Sequence, residues 1–228
     1  MTPPVPVVTV DGPSGSGKGT IGRGLATRLG WHLLDSGALY RLVGLAAAAK
    51  GMSLDDPEAL AAVATAMQVR FGADAERVEL EGADVTASLR TERAGEAASR
   101  VAAIPAVRAA LLQRQRDFAR PPGLVADGRD MGTVVFPSAT LKVFLTASAE
   151  ERASRRHKQL KEKGIDVSLP DLSWDIAQRD ARDASRSVAP LKPASDARVI
   201  DSTRLTPEEV IAQILKWLGE VGIRSNRA

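Results

Sequence analysis

Nine consecutive residues, Gly12-Pro13-Ser14-Gly15-Ser16-Gly17-Lys18-Gly19-Thr20, combine closely spaced glycines with a lysine and several hydroxyls. A chain of phosphates carries several negative charges, and a ring of backbone N–H donors can close on it where no Cβ stands in the way. Lys18 would set a mobile positive charge over the β and γ phosphates, and a helix beginning there would add the positive end of its dipole. Both flanks suit that arrangement. Residues 5–10 are an apolar run, and Ile21, Leu25 and Leu29 recur on one face of a helical pattern. A flexible Gly/Ser linker has no reason to carry a lysine between glycines at a strand-to-helix turn.

The spacing fits the P-loop pattern G-x-x-x-x-G-K, but Gly19 stands where Ser or Thr usually follows, and Thr20 comes one place later. The usual hydroxyl ligand of Mg²⁺ is thereby displaced. No direct protein ligand is expected, and Thr20 and Asp127 would reach a Mg²⁺ carried by ATP through water.

A chain of 228 residues can bury one substantial core and still carry inserted subdomains. Its 44% hydrophobic and 26% charged residues are ordinary for a soluble globular protein. No apolar stretch approaches a membrane span, and residues 1–4 lack the basic and apolar blocks of a signal peptide, so a cytoplasmic location with no membrane partner is expected. Absence of cysteine excludes disulfides, thiolate metal sites and cysteine nucleophiles together. The 31 basic and 28 acidic residues leave a net charge of only +3, so no nucleic-acid partner is expected. Most of the basic residues are arginine, whose planar fork matches phosphate and carboxylate in two places at once. No sustained heptad or apolar interface stripe is present, which favours a monomer.

Five short apolar runs, at residues 7–10, 31–34, 124–126, 142–145 and 198–200, alternate with helical patterns. Continuous apolar runs predict strands covered on both faces, and intervening helices predict a parallel sheet. The expected fold is therefore α/β, a P-loop NTPase-type five-stranded parallel sheet flanked by helices. Thr206, Pro207 and Glu209 predict a capped start to the last helix, and Gly51 predicts the end of a helix over 38–50. Between 51 and 122 the pattern changes. A helix over 57–68 behind Asp56, three β-like pieces at 69–71, 77–80 and 84–86, and helices near 92–103 and 106–119 are expected. Alternation of Val78 and Leu80 with Glu79 and Glu81 marks a half-buried antiparallel strand. Residues 150–192 are rich in Arg and Lys, and Gly164 and Pro170 are expected to break them into a helical hairpin able to swing. The division predicted is a core of 1–36, 121–149 and 193–222, an insertion over 37–120 and a lid over 150–192. Residues beyond Gly222 read as a disordered tail.

Two polar strings follow predicted strands: Asp35-Ser36-Gly37-Ala38-Leu39-Tyr40-Arg41 and Ala126-Asp127-Gly128-Arg129-Asp130-Met131-Gly132. Both lie at the carboxyl edge of a parallel sheet, where such proteins bind ligands, and are expected to form a second pocket beside the phosphate loop. Together with Asp11-Gly12-Pro13-Ser14-Gly15, the extension through Thr133-Val134-Val135-Phe136-Pro137, and Arg179-Asp180-Ala181-Arg182-Asp183, they resemble the nucleoside monophosphate kinases. Within that group the match is to the bacterial cytidylate kinases, over residues 6–218. The insertion resembles the family's enlarged monophosphate-binding region, and the basic segment resembles its lid.

The resemblance implies that ATP donates its γ-phosphoryl group to CMP or dCMP, with Mg²⁺ entering as MgATP. It implies that Ser99, Arg108 and Asp130 contact the cytosine edge and that Arg179 and Asp183 hold the sugar. Arg41, Arg129 and Arg186 would grip the acceptor phosphate, and Ser36 and Tyr40 would shape the pocket. Arg152, Arg155 and Arg156 would approach the transferring group from the lid, with Lys18, Asp127 and Arg129 completing the catalytic set. Cytosine offers a donor at N4 and acceptors at N3 and O2, so a carboxylate at Asp130 and a guanidinium at Arg108 are complementary to it. Uracil would turn a carbonyl oxygen toward that carboxylate.

Taken singly, these residues have duller explanations. Arg155 and Arg156 could be a solvated helix face, Asp127 a turn cap and Ser99 a surface serine. His32 and His157 receive no role, and Trp31, Trp174 and Trp217 are read as packing residues. The constellation is what separates the readings. Two other function classes stay open at this point: a sibling kinase for UMP or another small monophosphate, and an RNA-binding P-loop NTPase suggested by the basic lid.

Overall fold

A computed structural model describes residues 4–72, 77–162 and 164–223; the expected tail beyond Gly222 lies almost wholly outside them. The chain runs β1 (Val7–Asp11), α1 (Lys18–Leu29), β2 (His32–Asp35), α2 (Ser36–Ala49), α3 (Pro57–Ala66), β3 (Val69–Phe71), β4 (Val78–Leu80), β5 (Ala83–Asp84), α4 (Thr86–Leu89), α5 (Glu92–Val101) and α6 (Pro105–Arg116). It continues through β6 (Leu124–Gly128), a π-type turn at Met131–Val135, β7 (Leu141–Thr146), α7 (Ala149–Glu162), α8 (Leu169–Ala184), β8 (Arg198–Asp201) and α9 (Pro207–Glu220). Two compact units result. One holds the described residues of 1–34 and 118–228, including α7 and α8, and the other is Asp35–Asp117.

In the first unit the predicted apolar runs form one parallel sheet of order β2-β6-β1-β7-β8. β1 lies at its centre and is buried at all five positions, which is why its sequence shows no alternation. Val8, Val10, Val125, Val143, Leu145 and Ile200 pack against Ile21, Leu25 and Leu29 of α1 and against Val210, Ile211, Ile214 and Leu218 of α9. Each fully buried Leu here contributes roughly 1.5–3 kcal/mol of transfer free energy. The sheet and α1 are therefore a rigid mount for the loop between them.

In the second unit β3, β4 and β5 form a separate antiparallel sheet, and α2 packs on α5 closely enough that a Cβ at Gly44 would lie 2.9 Å from Ala97. Asp56 caps α3 through Ala59 N (3.0 Å), as its sequence predicts. Gly51, at φ 66°, follows α2 in the left-handed region.

Several boundaries differ from the sequence reading. α3 stops at Ala66 and α6 at Arg116, because periodic apolar residues run past the last turn that hydrogen bonds sustain. The third β piece is two residues long and forms a hairpin with β4 around Glu81 and Gly82, both at positive φ. The basic segment does divide into two helices, α7 and α8, but Pro170 lies just after the break: it occupies the first turn of α8, where proline's missing N–H costs nothing, behind the Ser168 cap. Trp174 is 65% exposed on α8 and is not a packing residue, whereas Trp31 lies against Gly123.

The capping box on α9 is complete: Glu209 N donates to Thr206 Oγ1 (3.3 Å) and Thr206 N donates to Glu209 Oε2 (2.8 Å). Thr206→Ala should lower the unfolding free energy by about 1 kcal/mol. Urea titration of the variant against the parent measures it, and an unchanged midpoint would remove the cap from the stability of α9.

Candidate active site

The loop between β1 and α1 is shaped by what presses on it from outside. A Cβ at Gly12 would overlap the carbonyl oxygen of Leu145 on β7, so only glycine lets the chain leave the sheet there. Gly17 adopts φ 91°, a left-handed conformation that turns the chain into α1. Three carbonyls of the loop are tied down. Lys18 Nζ donates to Pro13 O (3.1 Å), Arg152 Nη1 to Ser14 O (2.9 Å), and Arg155 Nη1 to Ser16 O (3.4 Å). The N–H groups of Ser14, Gly15 and Gly17 donate to no acceptor among the described residues. The Ser16 hydroxyl is likewise buried without a hydrogen-bond partner among them. A row of unpaired donors at a helix start is what an anion seat requires.

Beside this loop, β6 delivers the second polar string. Asp127 and Gly128 belong to the strand itself, which runs two residues further than the sequence predicts, and Asp127 sits opposite Val10 in register. A Cβ at Gly19 would stand 3.3 Å from Asp127 Oδ2, so the residue that replaces the usual hydroxyl also leaves room for this carboxylate. Chain direction then reverses through the π-type turn, closed by Val135 N to Asp130 O (3.2 Å) and Phe136 N to Met131 O (2.7 Å). Such turns gather at functional sites. Gly132 is held so close to β1 that a Cβ would lie 2.9 Å from Thr9 Oγ1.

Asp11, the residue just before the phosphate loop, holds this turn in place. Its carboxylate accepts from Met131 N (2.9 Å) and Gly132 N (2.8 Å), joining the residue that begins the phosphate loop to the one that follows Asp130. Burial pushes the Asp11 carboxyl up to about 6; the two amide bonds pull the other way, while the charge of Asp130 adds to the rise. A carboxylate at the end of a wholly buried strand was the available signal, since such a group must find donors.

Arg129 leaves the same string to donate through Nε to Asp183 Oδ2 (2.9 Å), and Arg186 bonds the other oxygen of that carboxylate. Burial opposes ionisation of Asp183, but Arg129 and Arg186, with Arg179 beyond them, outweigh it and hold the carboxyl below its ordinary range. Asp180, one turn earlier on α8, pairs with Arg152 at 2.6 Å. Arg155 Nε bonds Glu151 on its own helix (2.7 Å), and Arg156 Nη1 donates to Gln159. Of the three arginines expected to face the transferring group, Arg152 and Arg155 touch the phosphate loop.

The second unit carries the remaining expected residues. Asp35 ends β2 and caps α2 through Ala38 N (3.1 Å), leaving Ser36 and Tyr40 buried on the first turns. Arg41 Nη1 donates to Leu89 O (3.2 Å). Arg108 lies 5.7 Å from the centre of the Tyr40 ring and donates to Ala102 O (3.1 Å). Ser99 is not a surface serine: it is buried, and its hydroxyl has no hydrogen-bond partner among the described residues. A hydroxyl left in that state favours a ligand that completes it.

Fold and loop together define a P-loop protein whose amides and guanidinium groups are arranged for phosphate. The family model for cytidylate kinase matches residues 8–220. A cytidylate kinase of Stutzerimonas stutzeri is 59% identical over 96% of this chain and 98% of its own length, and one of Methylococcus capsulatus 58% over 92% and 96%. Another, from Aeromonas hydrophila, is 56% identical over 95% of this chain and 96% of its own length. The chain belongs to the cytidylate kinase family.

The folded protein holds the Asp11 proton more tightly than an unfolded chain, whose carboxyl titrates near 3.8. Between those values the native state binds more protons, so the Asp11 contribution to stability falls as pH rises through about 6. Asp11→Asn removes that titration. The stability advantage of the parent over Asp11→Asn should therefore shrink by on the order of 3 kcal/mol between about pH 4 and about pH 7. Urea unfolding across that range measures it, and a difference independent of pH would show that Asp11 titrates alike in both states.

Proposed function

We propose that the protein transfers the γ-phosphoryl group of ATP to CMP or dCMP, giving ADP and CDP or dCDP. The observation that carries this reading is the row of amides at Ser14, Gly15 and Gly17, beside Lys18, that meet no acceptor among the described residues, in a chain of the cytidylate kinase family. An acceptor phosphate oxygen attacks the γ phosphorus, a new P–O bond forms, and the bond to the β–γ bridging oxygen breaks with ADP as leaving group. The acceptor is already ionised near neutral pH, so the residues contribute alignment and charge neutralisation more than proton transfer.

The loop amides and Lys18 are assigned to the triphosphate. Arg41, Arg129 and Arg186 are assigned to the acceptor phosphate, and Arg179 and Asp183 to the sugar. Ser99, Arg108 and Asp130 are assigned to the cytosine edge, with Ser36 and Tyr40 as pocket walls. Arg155 and Arg156 are assigned to the transferring group's surroundings. Asp183 already spans Arg129 and Arg186, so both guanidinium groups are oriented before an acceptor arrives. Mg²⁺ bound with ATP would neutralise charge on the β and γ phosphates, and the Asp127 carboxylate beside Gly19, with Thr20, would hold its waters. Segment 37–120 is read as the monophosphate-binding region and 150–192 as a lid whose closure excludes water. No described helix is long and apolar enough to cross a membrane. A monomer in the cytoplasm is the state proposed.

A coupled assay of ATP consumption over CMP, dCMP and UMP tests this function. CMP and dCMP should be turned over, and UMP should be disfavoured at least about 5-fold, because a mismatched buried polar pair costs roughly 1–3 kcal/mol. Asp130→Ala should erase most of that preference. Lys18→Ala should lower turnover by about 100-fold or more while circular dichroism stays that of the parent, by analogy with losses of one transition-state charge partner. No CDP from ATP and CMP would overturn the assignment.

A further inference from the structure

Nothing in the sequence singles out Ser202, the residue after β8, and the reaction just described does not use it. Its hydroxyl is buried deep in the first unit, 186 positions from the loop residue it touches. Ser202 Oγ lies 3.2 Å from Ser16 O and 3.0 Å from Thr146 O, and it accepts from Arg155 Nη1 at 3.2 Å. A hydroxyl has one proton, so it divides that donation between two carbonyls while the guanidinium occupies one of its two lone pairs. Arg155 also donates to the Ser202 carbonyl through Nη2 (2.6 Å) and to Ser16 O through Nη1 (3.4 Å). Serine and arginine thus brace each other around a single loop carbonyl.

What that carbonyl controls follows from the planarity of the peptide. The Ser16–Gly17 bond is trans, so the Gly17 N–H points opposite to Ser16 C=O. Gly17 is a glycine at positive φ with a soft backbone, and its N–H is one of the loop donors that meet no acceptor among the described residues. Left free, this peptide could rotate and carry the donor away from a phosphate. Resting on the reading of the loop as the ATP seat, we propose that Ser202 is a positioning residue: it locks the Ser16 carbonyl outward so that the Gly17 amide stays turned toward the triphosphate. Arg155 completes the lock. Arg152 on Ser14 O does the same for the Gly15 amide, so the two lid arginines nearest the loop act on phosphate binding through the backbone.

The test measures ADP affinity by calorimetric titration, together with KM for ATP and for CMP. Ser202→Ala should weaken ADP binding and raise KM for ATP about 10-fold, as loss of one oriented donor does, with KM for CMP within twofold of the parent. Arg155→Ala should weaken ADP binding as well. Ser202→Ala combined with Arg155→Ala should lose less than the product of the single effects, because both hold one carbonyl. A merely structural serine would lower the melting temperature and leave ADP affinity within twofold, and that result overturns the proposal; so does an equal loss toward both substrates. Should Ser202→Ala fail to fold, Ser202→Cys keeps the shape with a weaker donor, and an ADP affinity equal to the parent's in that variant overturns the proposal equally. Parent protein that binds ADP but makes no CDP would sink the proposed function while leaving this inference intact.

Discussion

Backbone amides can hold a polyphosphate only if the peptides that carry them are prevented from turning. In this protein the phosphate loop is rich in glycine, so its own conformational preferences hold it weakly and the restraint has to come from outside. Lys18, Arg152, Arg155 and Ser202 supply it by bonding the carbonyls of Pro13, Ser14 and Ser16. Each bond fixes the far side of a peptide plane, and the donor on the near side is oriented without being touched. The sheet beneath supplies the fixed points, since β1 and β7 carry Asp11 and Thr146 and β8 leads directly into Ser202.

Charge is managed by the same economy of orientation. Burying guanidinium groups and carboxylates is costly unless each finds a partner, and here they find one another: Arg129 and Arg186 on Asp183, Arg152 on Asp180. The depressed carboxyl of Asp183 is the electrostatic record of that pairing. Asp11 sits at the opposite extreme, raised to about 6 because burial and Asp130 outweigh two amide bonds. Two aspartates in one unit are thus driven apart by their surroundings. One is a counter-ion to arginines and the other a bracket for the turn that presents Arg129 and Asp130.

Much of this is legible in the sequence. Five continuous apolar runs became the five strands of one sheet, Thr206 and Glu209 became a complete capping box, and the alternation around Val78 and Leu80 became an antiparallel hairpin. These are local signals, decided by residues within a turn of one another. Ser99 is the instructive opposite: its helical setting reads as surface, and only the packing of the second unit buries it. Asp180 and Ser202 were likewise illegible, because their partners lie far away in the chain and an aspartate or serine has many ordinary uses. The π-type turn could not be anticipated either, since the carboxylate that holds its Met131 and Gly132 amides comes from Asp11, far away in the chain.

The sequence by itself determined the kind of ligand and the kind of scaffold. A lysine among glycines between a buried strand and a helix has few physical uses other than holding phosphate, and periodicity fixes which segments are strands and which are helices. Tertiary structure decided which groups act on which. It set arginines of α7 against loop carbonyls, placed a serine from the far end of the chain behind the Gly17 peptide, and turned two aspartates into opposite electrostatic roles. Those outcomes depend on distance and burial between residues remote in sequence, and no local pattern encodes them.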